Sequence, residues 1–377
     1  MLSFAGKTEA TAAAAFLAQN WQKQTLWAPG GADLSALPVM EPDELAWLAT
    51  QDDVESRLIV TERTGGKVRY RMSAGPFSAD ELEALPERDW TLLVQDVEKH
   101  LPELRAWFDL VPFIPDWRFD DLMISVAAPG GSVGPHVDNY DVFLIQSLGI
   151  RRWHWTTEAT PADPEASTDL SLVEEFEPQD SRSATPGDVL YLPPGVAHHG
   201  IAEDLCVTCS IGMRAPQLSD LEASSGTNDA FYTDPDLQLS EVRCGYISRR
   251  AAARATALLA EHGLPGDQAE QMLGCYATRP KEWLQPPFIE KAAAFDGSLE
   301  MHGMARLAWS DTKVFANGAW HDLGGATPSL LEALCATRRA EVTDFDAWRA
   351  DDANRYLLDW LWRRGIFDPD ATIGRET

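Results

Sequence analysis

The stretch GPHVDNYDVFLIQ, residues 134–146, places a histidine and an aspartate at the start of an apolar run. Alternate residues of an extended strand lie on one face, so we expect His136 and Asp138 to lie side by side. Two interpretations are open. The pair are ordinary polar residues at a strand end, or they are two ligands of one metal ion. The second interpretation requires a further ligand from another strand.

A second stretch, GDVLYLPPGVAHHG at residues 187–200, supplies that ligand. Its spacing G-x5-P-x-G-x2-H ends on His198 and is the second sequence motif of the cupin barrels, in which this histidine points into the barrel. His199 is the next residue of an extended segment and would face the opposite way. Two imidazoles and one carboxylate form the facial triad of non-haem Fe(II) oxygenases, although the same ligands also suit zinc or manganese.

Strand alternation extends the pocket beyond these ligands. Asp121, Met123 and Ser125 share one face of the strand DDLMIS, residues 120–125. Tyr140 continues the face of the two ligands in the opening stretch. These residues are therefore candidates for the wall of the same cavity.

Two adjacent arginines, Arg151 and Arg152, begin the strand after the turn at residues 147–149. An oxygenase that uses 2-oxoglutarate must bind the distal carboxylate of that cosubstrate, and a buried guanidinium suits this task. The two side chains lie on opposite faces, so one of them should be inside. Alternation alone does not say which.

Composition excludes several classes of protein. The net charge of −28 argues against DNA or RNA as the direct partner and favours a basic one. No apolar stretch approaches the roughly 20 residues of a membrane helix. The five scattered cysteines are typical of a reducing cytoplasm, and Cys206 and Cys209, a C-x-x-C within an apolar strand, are predicted to be core residues.

The 377 residues form three regions by local pattern. Up to about residue 120, apolar spacing predicts helices within 42–59 and 89–101, with extended segments between. Short strands separated by Gly and Pro follow to residue 214 and indicate an antiparallel barrel or sandwich. After a polar link, helices are predicted after the N-cap Ser248 and at 267–278. A hairpin around Asn317-Gly318 and two final helices complete the chain.

Several segments of the chain resemble the JmjC-type ribosomal oxygenases, in particular their bacterial arginine hydroxylase branch, ribosomal oxygenase A. These segments include PDELAWLA, DWTLLVQ, PDWRFDDLMIS, PGGSVGPHVDNYDVFLIQ and PGDVLYLPPG, and the likeness extends over residues 15–215. It is weaker afterwards, where YTDPD, RAP and VFANG continue it.

The resemblance implies an α+β fold with a double-stranded β-helix, which is a JmjC or cupin-like barrel. It implies three domains: a catalytic domain at 1–216 with N-terminal helical elements, a helical dimerisation region at 217–298, and a winged-helix-like domain at 299–377. The link SDLEASSGTNDAF is shorter and more turn-rich than the family pattern, which leaves the dimer geometry open.

The resemblance also implies a site. By this resemblance, Fe(II) is bound by His136, Asp138 and His198. The cosubstrate 2-oxoglutarate, which reacts with O2, is bound by Ser125 and Arg151. The implied reaction is hydroxylation of the β-carbon (C3) of an arginine in a large-subunit ribosomal protein, number sixteen in the bacterial naming. The expected partners are that basic protein and a second copy of the chain, in the cytoplasm, with no direct nucleic acid and no membrane.

Three alternatives remain open at this stage. The same iron chemistry serves ribosomal histidine hydroxylases and N-methyl-lysine demethylases, and a cupin barrel can also be a non-catalytic binding module. For the substrate, Asp121 beside Met123 and Tyr140 would suit an arginine, with apolar walls for the methylenes and a carboxylate for the guanidinium. Asp121 could instead cap its strand and contact only backbone or Arg118, in which case the acidic residues Glu174 and Glu175 are the next candidates.

Overall fold

The structure is a computed structural model that describes residues 2, 9–159, 172–173, 176–221, 230–282, 284–286, 299–340 and 350–368. Glu174 and Glu175 lie outside these ranges. Two compact units are present: residues 1–112 with 120–213, and residues 113–119 with 214–377. The first unit contains every residue predicted for the site.

Twelve strands lie in the first part of the described chain. They are β1 (Leu26–Ala28), β2 (Ser56–Thr64), β3 (Lys67–Ala74), β4 (Trp90–Val94), β5 (Phe119–Ala127), β6 (His136–Val137), β7 (Val142–Leu148), β8 (Arg151–Ala159), β9 (Asp180–Ala184), β10 (Val189–Leu192), β11 (Val196–Ala202) and β12 (Cys206–Met213). They form an eight-stranded sheet in the order β1-β10-β7-β12-β5-β4-β2-β3 and a four-stranded sheet in the order β6-β11-β8-β9.

The two sheets pack face to face. One buried cluster joins Val142 and Leu190 of the eight-stranded sheet to Trp153, Trp155 and Val196 of the four-stranded sheet. Neighbouring strands run antiparallel in the four-stranded sheet and in the registered pairs of the larger one. Burying one face of each sheet against the other is the stable arrangement of an antiparallel barrel. The double-stranded β-helix predicted from the sequence is confirmed.

In the part of this unit that the structure describes, four α-helices are present: α1 (Glu9–Gln19), α2 (Pro42–Leu48), α3 (Ala79–Glu83) and α4 (Val97–His100). The prediction of a helix over residues 89–101 was wrong for its first half, which is strand β4. Thr91, Leu92, Leu93 and Val94 are all buried because β4 pairs with both β2 and β5. A strand buried on both faces is a continuous apolar run, which periodicity cannot distinguish from a helix.

The helix predicted within residues 42–59 also proved shorter. The helix ends at Leu48, and residues 56–59 of the predicted range belong to strand β2. A 3-10 helix spans Pro102–Leu110. The indole Nε1 of Trp107 in this helix donates a hydrogen bond of 2.9 Å to the carbonyl of Pro38, which precedes α2.

The described residues of the second unit contain five α-helices and five strands. They are α5 (Leu218–Leu221), α6 (Arg249–Glu261), α7 (Ala269–Thr278), α8 (Ser329–Thr337), α9 (Asp352–Arg363), β13 (Leu299–Glu300), β14 (Leu307–Trp309), β15 (Lys313–Ala316), β16 (Ala319–Asp322) and β17 (Arg339–Ala340). Ser248 caps α6 by accepting from the Ala251 N–H, as predicted. Asn317 and Gly318 have φ of 46° and 78°, which is the left-handed pair that a tight hairpin between β15 and β16 requires.

Domain boundaries after residue 213 remain a prediction. The helical region and the C-terminal α+β region fall into one compact unit, and the proposed division at residue 298 lies next to residues outside the described ranges. None of the helices in the described ranges is long and apolar enough to cross a bilayer. Cys206 and Cys209 are both buried in β12, in agreement with the prediction that they are core residues.

Candidate active site

His136, Asp138 and His198 come together at one end of the four-stranded sheet. His136 on β6 and His198 on β11 are direct cross-strand partners, and their rings lie 4.2 Å apart. The Asp138 Oδ2 atom is 3.9 Å from His136 Nε2 and 3.6 Å from His198 Nε2. One ligand atom from each residue lies within 4.8 Å of the others, which is the spacing expected around a single metal ion.

Backbone contacts orient both imidazoles. The Nδ1 atom of His136 lies 3.0 Å from the Gly134 carbonyl, and that of His198 lies 3.1 Å from the Val196 carbonyl. A carbonyl accepts only, so Nδ1 carries the proton in each ring and the Nε2 lone pair is left for a metal. Both Nε2 atoms face the carboxylate of Asp138. The donor set therefore fits a divalent metal of the Fe(II) type.

Burial keeps His198 neutral. The side chain is 2% exposed, and this loss of solvation, helped by the neighbouring His136, lowers the pKa of His198 to about 4. A neutral imidazole is the form that binds a metal, so the ring is available as a ligand across the physiological pH range.

His199 faces away from this site. Its Nε2 atom is 3.4 Å from the hydroxyl of Tyr70, and its ring lies near those of His154 and Phe176. Adjacent residues of β11 thus carry their rings to opposite faces of the sheet. Only His198 of the two joins the cluster with His136.

The two adjacent arginines also separate. Arg152 is exposed and pairs with Glu203 at 2.7 Å. Arg151 is 4% exposed, and its Nη1 atom lies 3.5 Å from the hydroxyl of Ser125, itself 3% exposed. The Nε and Nη2 atoms of Arg151 are buried with no hydrogen-bond partner within the described ranges.

The two donors of Arg151 that lack a hydrogen-bond partner within the described ranges imply a ligand. A buried charge without a partner is strongly destabilising, whereas a carboxylate can accept two parallel hydrogen bonds from a guanidinium. The side chain of Arg151 therefore fits a carboxylate group that enters the barrel. Arg152 has its partner already and offers no such site.

Asp121 and Tyr140 both lie beside Gly212 on β12. A Cβ atom placed on Gly212 would be 3.1 Å from Asp121 Oδ1 and 3.9 Å from Tyr140 Cε2, so the glycine lets the Asp121 carboxylate approach β12 closely. The charge of Asp138 and then burial, with a smaller contribution from the charge of Asp121, raise the pKa of Tyr140. The Tyr140 ring is 40% exposed, Asp121 is 6% exposed and Met123 is half-buried. Arg118 lies 3.6 Å from Asp234, and the alternative in which Asp121 contacts Arg118 stays a prediction.

Two contributors to the site escaped sequence analysis. Trp153 lies between the predicted groups, with its ring 5.6 Å from the Arg151 guanidinium and 6.0 Å from the His198 ring. Its position two residues after Arg151 was a usable signal. Asp141, fully buried, accepts hydrogen bonds from Tyr191 and Gln22 and so holds the segment after Asp138. No local pattern predicts these long-range partners.

Comparison with known proteins gives a consistent result. The family described as the JmjC domain matches residues 108–221. A probable ribosomal oxygenase of Haemophilus influenzae is 39% identical over 60% of this chain and 55% of its own length. The ribosomal protein uL16 3-hydroxylase of Escherichia coli is 40% identical over 59% of this chain and 60% of its own length. These two matches thus span less than two thirds of each relative.

A solved structure extends the match to nearly the full chain. The Escherichia coli ribosomal oxygenase YcfD, in complex with cobalt and 2-oxoglutarate, superposes with a TM-score of 0.69 at 30% identity, over 94% of this chain and 96% of YcfD. With the barrel and the His136–Asp138–His198 cluster in place, the sequence and structure agree on one conclusion: the chain belongs to the JmjC-domain ribosomal oxygenases.

Proposed function

We propose that this protein is an Fe(II)- and 2-oxoglutarate-dependent oxygenase that uses O2 to hydroxylate the β-carbon (C3) of an arginine in ribosomal protein uL16. The observation that carries the proposal is the His136–Asp138–His198 cluster in the same barrel as the buried, under-bonded guanidinium of Arg151. The names of the relatives support the choice of reaction and substrate.

In this proposal His136, Asp138 and His198 hold iron, each through one atom. Iron together with 2-oxoglutarate and O2 supplies the oxidising chemistry when bound. The protein's own contribution would be to bring one ligand atom from each of the three residues within 4.8 Å of the others, where together they would hold the ion. The Nδ1 hydrogen bonds to Gly134 and Val196 keep both rings in that orientation.

Arg151 and Ser125 bind the distal carboxylate of 2-oxoglutarate. The guanidinium offers Nε and Nη2, which have no other partner within the described ranges, and Ser125 contacts it from strand β5 of the facing sheet. Because the guanidinium is 4% exposed, water competes poorly for these donors and the carboxylate is held in one orientation. The ring of Trp153 excludes solvent beside it.

Asp121, Met123 and Tyr140 receive the substrate arginine. The Asp121 carboxylate pairs with the guanidinium, and the half-exposed Tyr140 ring offers a face over which the same cation can stack. Both side chains lie beside Gly212, which carries no Cβ that would crowd the Asp121 carboxylate. A negative group and an aromatic face favour a cationic side chain over a neutral histidine, which is the argument for arginine against the histidine hydroxylases.

We further propose that the enzyme acts in the cytoplasm on a basic protein and forms a homodimer through its helical region. The net charge of −28 supports a positively charged protein partner and disfavours direct binding of nucleic acid.

The test is direct. Purified protein is incubated with Fe(II), 2-oxoglutarate and uL16, and the product is mapped by mass spectrometry. The proposal expects one added oxygen on an arginine and formation of succinate. Addition on a histidine, or loss of an N-methyl group from lysine, would establish one of the related activities instead. Absence of 2-oxoglutarate turnover would leave a binding module.

A further inference from the structure

The catalytic unit carries a second feature that the proposed chemistry does not use. A surface groove of about 440 Å3 lies between the segment that precedes helix α2 and the 3-10 helix at Pro102–Leu110. Its volume is within the range of small-ligand pockets. Met40 and Leu104, which are 5% and 3% exposed, line it with apolar surface. The hydrogen bond from Trp107 to Pro38 holds one wall in place.

An exposed indole forms part of the rim. Trp47 on α2 is 61% exposed and Val39 is 39% exposed, although both are large apolar residues. Helix α2 buries Leu45 and Leu48 on its other face, so Trp47 is not required to close the core. An apolar patch that includes a tryptophan and has a polar rim is characteristic of a recognition surface.

The polar part of the rim is entirely acidic. Asp43, Glu44 and Glu103 line the groove, and none of them forms an ion pair with any residue in the described ranges. Glu44 accepts a hydrogen bond from the Glu41 N–H and thereby caps α2, so it is fixed at the rim. Three carboxylates repel phosphates and attract cations.

These features together specify one kind of occupant. A lysine or arginine side chain has an apolar stem, which would pack on Met40 and Leu104, and a cationic head, which would reach the carboxylates and the face of Trp47. We propose that the groove is a docking site for a basic segment of the ribosomal protein substrate, separate from the arginine that is hydroxylated. This rests on the proposed function for the identity of the substrate. Ribosomal proteins bind RNA and are rich in such side chains.

Two substrates separate docking from catalysis. One is intact uL16, and the other is a peptide limited to the target arginine and its immediate neighbours. Trp47→Ala should raise the KM and Kd for the intact protein about tenfold, because it loses a cation–π partner and apolar contact. The KM for the peptide and the uncoupled turnover of 2-oxoglutarate should stay unchanged. Trp47→Phe should restore most of the affinity, and Trp47→Leu should not.

Neutralising the rim provides an independent arm. Asp43→Asn combined with Glu103→Gln should weaken binding of intact uL16 about threefold and flatten its salt dependence. The matched control is Asp80→Asn with Glu87→Gln, which removes the same charge from exposed positions of the same unit outside the groove lining and should change neither the affinity nor its salt dependence. An equal effect of both pairs would show that net charge acts alone and would overturn the groove as a site.

The remaining outcomes are also decisive. Equal losses on the intact protein and the peptide in Trp47→Ala would place the effect at the catalytic centre and overturn docking. A shift of Trp47→Ala from dimer to monomer in sedimentation would assign the groove to a second copy of the chain and overturn it as well. If the unchanged enzyme hydroxylates neither substrate, the proposed function fails, while Kd measurements without turnover still test the groove.

Discussion

The two faces of the four-stranded sheet carry the same pairs of residue types in very different surroundings. His198 and Arg151 lie on the inner face, and both are less than 5% exposed. His199 and Arg152 are their immediate neighbours in sequence and lie on the outer face. The inner histidine meets two other ligand atoms, and the inner arginine has donors with no partner in the described ranges.

The outer residues are already satisfied. His199 contacts the Tyr70 hydroxyl, and Arg152 pairs with Glu203. Residue type therefore does not distinguish a structural from a functional position in this sheet. The distinction lies in whether the polar atoms of a buried group have found partners within the protein. Four predictions test this difference.

The largest effect is expected for the histidine pair. His198→Ala should abolish hydroxylation because one of three metal ligands is lost, whereas His199→Ala should reduce the rate by less than about tenfold. Initial rates of succinate formation at saturating Fe(II) provide the measurement, and circular dichroism checks that both variants fold. A reversed order would mean that the inner and outer faces of β11 have been exchanged.

The arginine pair should show the next largest difference. Arg151→Met should raise the KM for 2-oxoglutarate about a hundredfold, near 3 kcal/mol, since the cosubstrate loses a desolvated charged partner. Arg152→Met removes only an exposed ion pair and should change that KM less than about threefold. Both values follow from turnover against cosubstrate concentration. Similar effects at the two positions would contradict the assignment of the buried guanidinium.

Asp121 extends the comparison to the substrate. Asp121→Asn should weaken binding of an arginine peptide by about 2 kcal/mol, roughly thirtyfold, because a partly desolvated charge pair is lost. Uncoupled decay of 2-oxoglutarate should continue at its normal rate, and this serves as the internal control. Peptide kinetics that do not change would remove Asp121 from the substrate site and direct attention to the acidic segment around Glu174 and Glu175.

The smallest effect concerns stability, and here the two faces should behave alike. Burial lowers the pKa of His198 and of His199 to about 4, below the unfolded value of 6.5. Between these pH values the unfolded chain binds more protons than the native one. Stability of the metal-free protein is therefore full above pH 6.5 and falls as the pH approaches 4.

Urea unfolding over this pH range measures that loss. Each of His198→Gln and His199→Gln should reduce the loss in free energy of unfolding between pH 6.5 and pH 4 by about 2 kcal/mol. The two variants would then match in stability while differing greatly in activity. A flatter profile in only one of them would show that the two rings are not equally desolvated.

Local pattern was sufficient for much of the barrel. The G-x5-P-x-G-x2-H spacing identified His198 because glycine and proline set the turn that precedes it, and alternation grouped Asp121, Met123 and Ser125. It failed at residues 90–94, where an apolar run suited both a helix and a doubly buried strand. Pairing of β4 with β2 and β5 decided that case.

The choice between Arg151 and Arg152 shows the limit of alternation. Within the barrel, His198 is opposite Trp155, so Trp155, Trp153 and Arg151 share its face. The pairing of β11 with β8 shifts in register between Val196 and His198. Such a shift cannot be found by counting alternate residues along either strand. The resemblance to a known family named Arg151 in advance, but strand pairing provides the physical reason.

The sequence by itself determined the short antiparallel strands, the three residues of the candidate metal site and the acidic net charge, because these follow from residue type and spacing over a few positions. Tertiary structure alone decided which arginine is buried, that Asp121 and Tyr140 both lie beside Gly212, and that Trp47 and Glu103 line one groove. Each of these depends on contacts between segments far apart in the chain. Register and packing set such contacts, and no local propensity encodes them.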